Sequence, residues 1–298
     1  MSETTASLRR KIAGAGDLQS VVRTMKAMAA ASIEQYERSV RALADYNRTV
    51  ELGLAASFRE SRASPSPAET RKDAPASAIV AVVFGSDQGL VGQFNDVVAD
   101  YADKRLAELP GNVEIWAVGE RVHARLADAG HLPAGIFTVP NSVKAITPLV
   151  GDILVESEKH RQHGAKIELH LIYNRCTAGD SYTPVSQRLL PLDDEWRDHL
   201  AGLPWPTTNL PEVIGGRIAT LQPLIREYLF VSIFRACAES LASENASRLA
   251  AMQRADKNID ELLEELGRSF HRLRQGGIDE ELFDVISGFE ALSEERGS

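Results

Sequence analysis

The sequence lacks the features of several large classes of protein. It has only two cysteines, Cys176 and Cys237, and neither lies in a Cys-x-x-Cys pair or beside a histidine. This argues against a disulfide framework and against a structural zinc site. No run of about 18 apolar residues occurs, so no membrane-spanning helix is expected. The formal net charge is −9, which gives no reason to expect nucleic acid as the main partner.

The start of the chain also lacks a targeting signal. The first residues, MSETTASLRRKIAG, have no apolar signal core and do not look like a transit peptide. Such a start is typical of a bacterial-type cytoplasmic protein. With 298 residues, the chain can hold one large domain or two modest ones.

The first part of the chain, residues 1–58, is predicted to form a long coiled-coil helix. Two rows of residues alternate there at steps of four and three, and no proline interrupts them. One row is Leu8, Ala15, Val22, Ala29, Tyr36, Leu43 and Val50, and the other is Ile12, Gln19, Lys26, Ile33, Val40, Asn47 and Leu54. This pattern indicates the seam of a coiled coil. The polar residues in this seam either specify the register of the helix pair or mark a place where no partner helix packs.

The last part, residues 210–298, also has helical spacing almost throughout. A pattern much longer than about 25 residues indicates a coiled coil, a membrane span or a repeat, and only the first fits this composition. Because proline kinks or restarts a helix, Pro223 predicts that the main C-terminal helix begins near Gln222. Gly276 and Gly277 form a second weak point. Helices from opposite ends of the chain can pair antiparallel.

The middle part, residues 78–192, reads as an inserted α/β domain. Strand-like runs at 78–84, 113–119, 166–174 and 183–192 alternate with helical segments. This alternation predicts a mostly parallel, Rossmann-like sheet with the last strand as an antiparallel edge. The predicted fold class is therefore α/β, with a long antiparallel coiled coil of N- and C-terminal helices and an inserted domain.

A glycine-rich loop, FGSDQGLVGQFN at residues 84–95, is the strongest candidate for a ligand site. Such loops can present backbone N–H groups to a phosphate at a helix N-terminus. However, its last glycine is followed by Gln93 and Phe94 where a P-loop has lysine and a hydroxyl residue, and its glycines do not have the dinucleotide-binding spacing. The simpler interpretation is that the glycines only let the backbone turn from the strand into the helix and bind no ligand.

The remaining candidates for chemistry are weaker. His160 and His163 lie three apart on a predicted helix, but a metal site needs a third ligand and none is obviously placed to supply it. Asp193, Asp194 and Glu195 form a charged cluster without signs of the burial that separates an acid from a base. We therefore predict no catalytic residue, no cofactor and no metal.

Positive charge is concentrated near the start of this acidic chain, at Arg9, Arg10, Lys11, Arg23 and Lys26. Two interpretations stay open. These residues form either an ordinary solvated helix face or a surface for an acidic protein partner.

Motifs in three separated parts of the chain resemble the γ subunit family of the F-type ATP synthase. LRRKIAGAGDLQSVVRTMKAMAAAS is similar to the family's opening helix, and SDQGLVGQFN resembles its S-D-R-G-L-C-G-x-x-N motif. Near the C-terminus, ESLASENASRLAAMQRADKN and RQGGIDEELFDVISGFEAL resemble its signature helix and its closing segment. Alanine, serine and methionine on such helices suit a slender shaft that must slide past its surroundings.

The resemblance implies a central-stalk rotor subunit, itself not an enzyme, that transmits torque between an ion-driven membrane c-ring and a catalytic head. It implies the α and β subunits of the head, the ε subunit and the c-ring as partners, and no nucleic acid. It places the protein peripherally at the cytoplasmic face of the bacterial inner membrane, with membrane contact only through the complex. The alternative is a nucleotide-binding α/β enzyme that dimerises through its terminal helices.

The resemblance also assigns roles to individual residues. Those matching contacts to the head are Met25, Lys26, Arg274 and Gln275. Those matching the signature helix, expected to stabilise the coil or its junction with the insert, are Glu244, Arg248 and Met252. Those expected to fix the turn in the insert are Gly89, Leu90 and Asn95. Departures from the family motifs, among them Gln88 and Asp279, indicate a divergent branch or an alternative ATPase operon.

Overall fold

The computed structural model describes residues 4–63, 78–162, 167–177, 182–192, 194–209 and 217–295. Its elements in chain order are α1 (Thr5–Ala63), β1 (Ala78–Phe84), α2 (Phe94–Glu108), β2 (Val113–Val118), α3 (Glu120–Asp128), β3 (Gly135–Phe137), α4 (Val143–Gln162), β4 (Ile167–Cys176), β5 (Tyr182–Leu190), α5 (Asp194–Ala201) and α6 (Arg217–Glu295). The chain divides into two compact units, residues 1–28 with 250–298 and residues 29–249. Both α1 and α6 contribute residues to each unit.

The first unit is an antiparallel pair formed by the start of α1 and the end of α6. Rising residue numbers in α1 meet falling numbers in α6, since Gln19 bonds to Asp260 and Lys26 to Asp256. A buried cluster joins the two helices, consisting of Ala15, Val22, Met252 and Ile259. In α1 these are members of the predicted heptad row, so the antiparallel pairing expected from the sequence is confirmed.

The second unit contains a five-stranded sheet in the order β3-β2-β1-β4-β5. The first four strands run parallel, and β5 is antiparallel to β4. This confirms the predicted mostly parallel sheet with an antiparallel edge. A parallel sheet is covered on both faces, and its strands are therefore apolar throughout, as in β1, where six of the seven residues are buried.

The two faces of the sheet belong to separate cores. One core includes Ala81, Val98, Ile115 and Leu126, from strands, α2 and α3. The other includes Val80, Trp116, Ile146, Leu169, Tyr36 and Ile233, so the middle portions of α1 and α6 pack there beside α4. The long helices are thus part of the hydrophobic core of this unit.

The helix α6 differs from expectation at its start. It already includes Arg217 and passes through Pro223, whereas Pro223 predicted a beginning near Gln222. Proline has no backbone N–H. The helix therefore lacks one hydrogen bond near its start, the one that residue 223 would donate to the carbonyl oxygen of Ala219. The helix also continues through Gly276 and Gly277.

Two short elements had no sequence prediction. The strand β3 has three residues and pairs with β2, and the helix α5 has eight. Neither is long enough to show a clear period. In α5, Trp196 packs edge-to-face against Phe58 of α1 and Tyr228 of α6, so contacts with distant residues hold it.

Candidate functional site

The usual ligand crevice of the sheet is filled by α6. In open α/β sheets, ligands bind at the carboxyl ends of the strands where the strand order reverses, which here is between β1 and β4. The hydroxyl of Ser243 donates to the carbonyl oxygen of Asn174 at the end of β4, at 2.9 Å. The hydroxyl of Ser247 donates to the carbonyl oxygen of Val91 in the loop after β1, at 2.5 Å. A ligand would have to displace a buried helix.

The glycine-rich loop after β1 is closed on itself. The backbone N–H of Ser86 donates to Oδ1 of Asn95 at 3.0 Å, and Nδ2 of Asn95 donates to Oγ of Ser86 at 2.8 Å. A Cβ atom on Gly85 would lie 2.3 Å from Cβ of Val122. The side chains of Ser86 and Asn95 are therefore bonded to each other and do not point to a ligand.

The predicted turn residues play unequal parts in this loop. Asn95 is buried and bonds to Ser86. Leu90 adopts a positive φ of 63° and is 61% exposed, a conformation that is uncommon for a residue with a Cβ atom. Gly89 does not take this conformation, and the nearest atom to a Cβ placed there would be the Arg121 guanidinium, at 3.8 Å.

Asp87 joins three loops at the carboxyl edge of the sheet, a role that sequence reasoning missed. Its carboxylate accepts the backbone N–H of Glu120 and that of Val139, each at 3.0 Å. These donors follow β2 and β3. The only signal in the sequence is the position of an aspartate shortly after a buried strand, where aspartate often accepts hydrogen bonds from loop backbone.

The predicted junction residues Glu244 and Arg248 form a buried pair on α6. Arg248 Nη2 donates to Glu244 Oε1 at 2.5 Å. Burial raises the pKa of Glu244, and the charge of Arg248 opposes that shift. Among the described residues no group bonds to the second carboxylate oxygen of Glu244. Tyr36 of α1 is buried in the core that also contains Cys237 of α6, and burial, with smaller contributions from Cys237 and Glu244, raises the pKa of Tyr36 to about 12.

A second acidic residue, Glu239, ties α6 to the sheet. Its carboxylate accepts hydrogen bonds from Arg175 of β4 at 2.8 Å and from Arg235 of α6 at 2.7 Å. Arg175 also donates to the hydroxyl of Tyr173 at 2.6 Å. Charged hydrogen bonds that are partly buried are stronger than exposed ones, so this cluster couples the sheet to the helix.

The predicted head-contact residues all belong to the first unit. Lys26 donates from Nζ to Asp256 Oδ2 at 2.9 Å, and Met25 packs against the buried cluster of that unit. Arg274 and Gln275 are exposed on α6. Met252, predicted together with Glu244 and Arg248, lies in the cluster of the first unit.

The first unit exposes many apolar side chains. Those on α1 are Leu18, Val21 and Met28, and those on α6 include Ile278, Leu282, Phe283, Val285 and Ile286. Exposed apolar groups of this extent usually mark an interaction surface.

No arrangement for catalysis is found among the described residues. No group of three or more His, Cys, Asp or Glu side chains within them is placed to hold a metal ion. His160 bonds to Glu114 at 3.0 Å, while His163 and Asp193 lie outside the described residues. Cys237 is fully enclosed, and burial raises the pKa of its thiol, which makes it unreactive. In the described part of the chain, no helix has the length and hydropathy needed to cross a bilayer.

The filled crevice and the helix pair with exposed apolar side chains together favour the class of structural and interaction proteins. Comparison with known proteins agrees. The profile of the ATP synthase family matches residues 4–292, and the chain belongs to that family. Within it, the chain groups with the γ chains of the central stalk, which are non-catalytic subunits, and the alternative of a nucleotide-binding enzyme is not favoured.

The individual relatives cover nearly the whole chain. The ATP synthase gamma chain of Chelativorans sp. is 29% identical over 297 residues, covering 96% of this chain and 98% of the relative. That of Streptomyces coelicolor is 27% identical, covering 96% and 95%. Among solved structures, the rotor of the Euglena gracilis mitochondrial ATP synthase has a TM-score of 0.61 at 16% identity, covering 92% and 98%. The central stalk and c-ring structure from Tetrahymena thermophila contains a chain with a TM-score of 0.56 at 18% identity, covering 79% and 99%.

Proposed function

We propose that this chain is the rotating central-stalk subunit of an F-type ATP synthase and that it transmits torque between a membrane c-ring and a catalytic head. The observation that carries the proposal is the contrast between the two units. The sheet unit has its ligand crevice filled by α6, while the helix pair of the other unit exposes apolar side chains at many positions. The crevice where an α/β enzyme would bind its ligand is occupied by α6, and the exposed apolar surface lies on the helices of the other unit.

The mechanism follows from symmetry and from the composition of the helix pair. A pair of unlike helices is asymmetric, and a surrounding head with three equivalent catalytic sites therefore meets a different surface at each site. Each site is biased toward the conformation favoured by its own contacts. Rotation requires that these contacts be released, which small and flexible side chains such as Met28 allow.

The finer assignments belong to the same proposal. The α and β subunits would contact Met25, Arg274 and Gln275, and the ε subunit and c-ring would contact the sheet unit. The complex would lie at the cytoplasmic face of a bacterial inner membrane, with this chain held there peripherally. Relatives described as ATP synthase gamma chains and structural neighbours from rotor and stalk assemblies support this placement.

The test is co-purification of the tagged chain from its native host in mild detergent, followed by mass spectrometry and an ATPase assay. We expect the α, β, ε and c subunits in the eluate together with ATP hydrolysis. Calorimetry of the isolated chain with ATP and with NAD serves as the second arm, and no binding is expected. A homodimer that binds nucleotide and brings no other subunit would overturn the proposal.

A further inference from the structure

The first unit contains a polar cluster that joins its two helices. Its members are Gln19, Arg23 and Lys26 of α1 with Asp256 and Asp260 of α6. Arg23 Nε donates to one carboxylate oxygen of Asp256 at 3.1 Å, and Lys26 Nζ donates to the other at 2.9 Å. One turn further along, Gln19 Nε2 donates to Asp260 Oδ1 at 2.5 Å, and Arg23 Nη2 lies 3.6 Å from the same carboxylate.

Asp256 lies in the seam between the helices. On α6 it falls four residues after Met252 and three before Ile259, and both of these are buried. Its side chain is only 12% exposed, whereas those of Lys26 and Arg23 are 38% and 56% exposed. The acid is therefore enclosed and the two cations reach it from the flanks, an arrangement that their long side chains permit.

The apolar part of this seam mixes small and large side chains. Ala15, Ala251 and Ala255 lie in the same cluster as Val22, Met252 and Ile259, and the single methyl groups of the alanines interdigitate weakly with a partner helix. Each oxygen of Asp256 has its own cation, and a slide of one residue moves a helix by about 1.5 Å. Such a slide breaks at least one of the two bonds, because a hydrogen bond tolerates only a few tenths of an ångström.

We propose that these five residues form a register lock that fixes the axial position of α1 against α6, and that Lys26 acts through Asp256 rather than by contacting the head. The biological purpose rests on the proposed function, since a stalk that transmits torque must not slip internally. Buried polar residues in helix seams are known devices for setting register. The hydrogen bond from Lys26 is the largest influence lowering the pKa of Asp256; partial burial opposes it, and Arg23 adds to the lowering.

The first experiment measures amide hydrogen exchange of the full-length chain by mass spectrometry. We compare Lys26→Gln, Asp256→Asn and the double variant in peptides from 15–28 and 250–263. The lock predicts that each single variant speeds exchange in both helices by roughly tenfold, because losing either partner opens the same contact. The double variant should exchange no faster than the faster single variant, since the two residues act as one unit.

Matched controls come from an exposed pair on the same helix. Lys257 and Glu261 lie 3.8 Å apart and are 78% and 66% exposed. Lys257→Gln and Glu261→Gln make the same charge changes without a partner across the helix pair, and exchange should stay within about twofold of the wild type. If Asp256→Asn unfolds the helices entirely, Lys26→Arg and Asp256→Glu take its place as the test of the lock. Both variants keep the charges and should retain most of the protection from amide exchange.

The second experiment uses the assembled enzyme and separates the two roles of Lys26. With the lock, Lys26→Gln lowers ATP-driven ion pumping per ATP hydrolysed in the wild-type background and has no further effect in the Asp256→Asn background. Unchanged exchange in Lys26→Gln, together with a pumping loss that persists in Asp256→Asn, would refute the lock and support a direct head contact. If the chain fails to assemble with a head, the proposed function fails while the exchange data still decide whether the lock exists.

Discussion

The hydroxyl of Ser247 on α6 donates a hydrogen bond to the carbonyl oxygen of Val91, 156 positions earlier in the chain. Val91 lies in the glycine-rich loop that an α/β enzyme would use for its ligand. Ser247 and Val91 are both buried, so this hydrogen bond is shielded from solvent. This contact couples the C-terminal helix to the sheet and at the same time occupies the crevice.

Replacing Ser247 by alanine tests this contact. The variant removes one of the two hydrogen bonds to the Val91 carbonyl oxygen, which still accepts the backbone N–H of Phe94 at 3.2 Å, and we expect the free energy of unfolding to fall by about 1 kcal/mol. Urea unfolding followed by tryptophan fluorescence measures it, since Trp116 is buried in the same unit. Thr49→Ala, which removes an exposed hydroxyl bonded only within α1, should change stability by no more than about 0.5 kcal/mol. Equal effects of the two variants would show that the Ser247 contact is not special.

Gly85→Ala should be among the most damaging single substitutions in the sheet unit. The new methyl group would lie 2.3 Å from Cβ of Val122 and 2.8 Å from Oδ1 of Asn95, and neither neighbour is the free end of a flexible side chain. We expect a loss of about 3 kcal/mol in the free energy of unfolding. Gly151→Ala is the matched control, because nothing lies within 4 Å of its added Cβ in α4. There alanine should stabilise by about 0.5–1 kcal/mol, and a destabilised Gly151→Ala would contradict the packing described.

His160 should make the sheet unit more stable at acid than at alkaline pH. Its Nδ1 lies 3.1 Å from the carbonyl oxygen of Glu156 and its Nε2 lies 3.0 Å from the Glu114 carboxylate, so both acceptors are satisfied only by the protonated ring. The bond to the Glu156 carbonyl is the largest cause that raises the pKa of His160 above its ordinary 6.5, and Glu114 adds to it. The stabilisation is therefore complete below about 6.5 and disappears as pH rises through the higher folded value.

Thermal unfolding at about pH 5.5 and about pH 8.5 checks this, together with an NMR titration of the ring. His160→Gln should lose stability relative to wild type at the lower pH and much less at the higher pH. Glu114→Gln should lower the pKa of His160, whereas Asp152→Asn removes the same charge from an exposed site on α4 and should leave that pKa unchanged. A ring that titrates below 6.5 in the wild type would refute the two-acceptor geometry.

The end of α6 should gain stability when its paired glycines are replaced. Gly276 and Gly277 are helical and exposed, and no atom lies within 4 Å of a Cβ added to either. Alanine at each position should stabilise the local helix by about 1 kcal/mol, because glycine loses more backbone entropy on folding. Slower amide exchange in residues 270–285 of the double variant measures this. Unchanged exchange would mean that this segment is not helical in solution.

The sequence predicted the broad plan because its signals are repetitive. Leu8, Ala15, Val22, Ala29 and Tyr36 recur every seven residues, and all five are buried. The run at 78–84 was predicted as a buried parallel strand and is one, since a strand covered on both faces must be apolar throughout. The motifs that resemble the γ family lie in three parts that span the chain, and the family match over residues 4–292 confirms the membership they indicated.

What the sequence alone determined was therefore the succession of long helix, parallel sheet and long helix, and the family. Tertiary structure alone decided that α6 fills the sheet crevice, that Asp87 bridges two further loops and that Lys26 meets Asp256. The physical reason is the range of the interactions. Periodicity records what each residue does within its own helix or strand, whereas these hydrogen bonds join residues 33 to 230 positions apart, and single pairs of that kind leave no repeated pattern in a sequence.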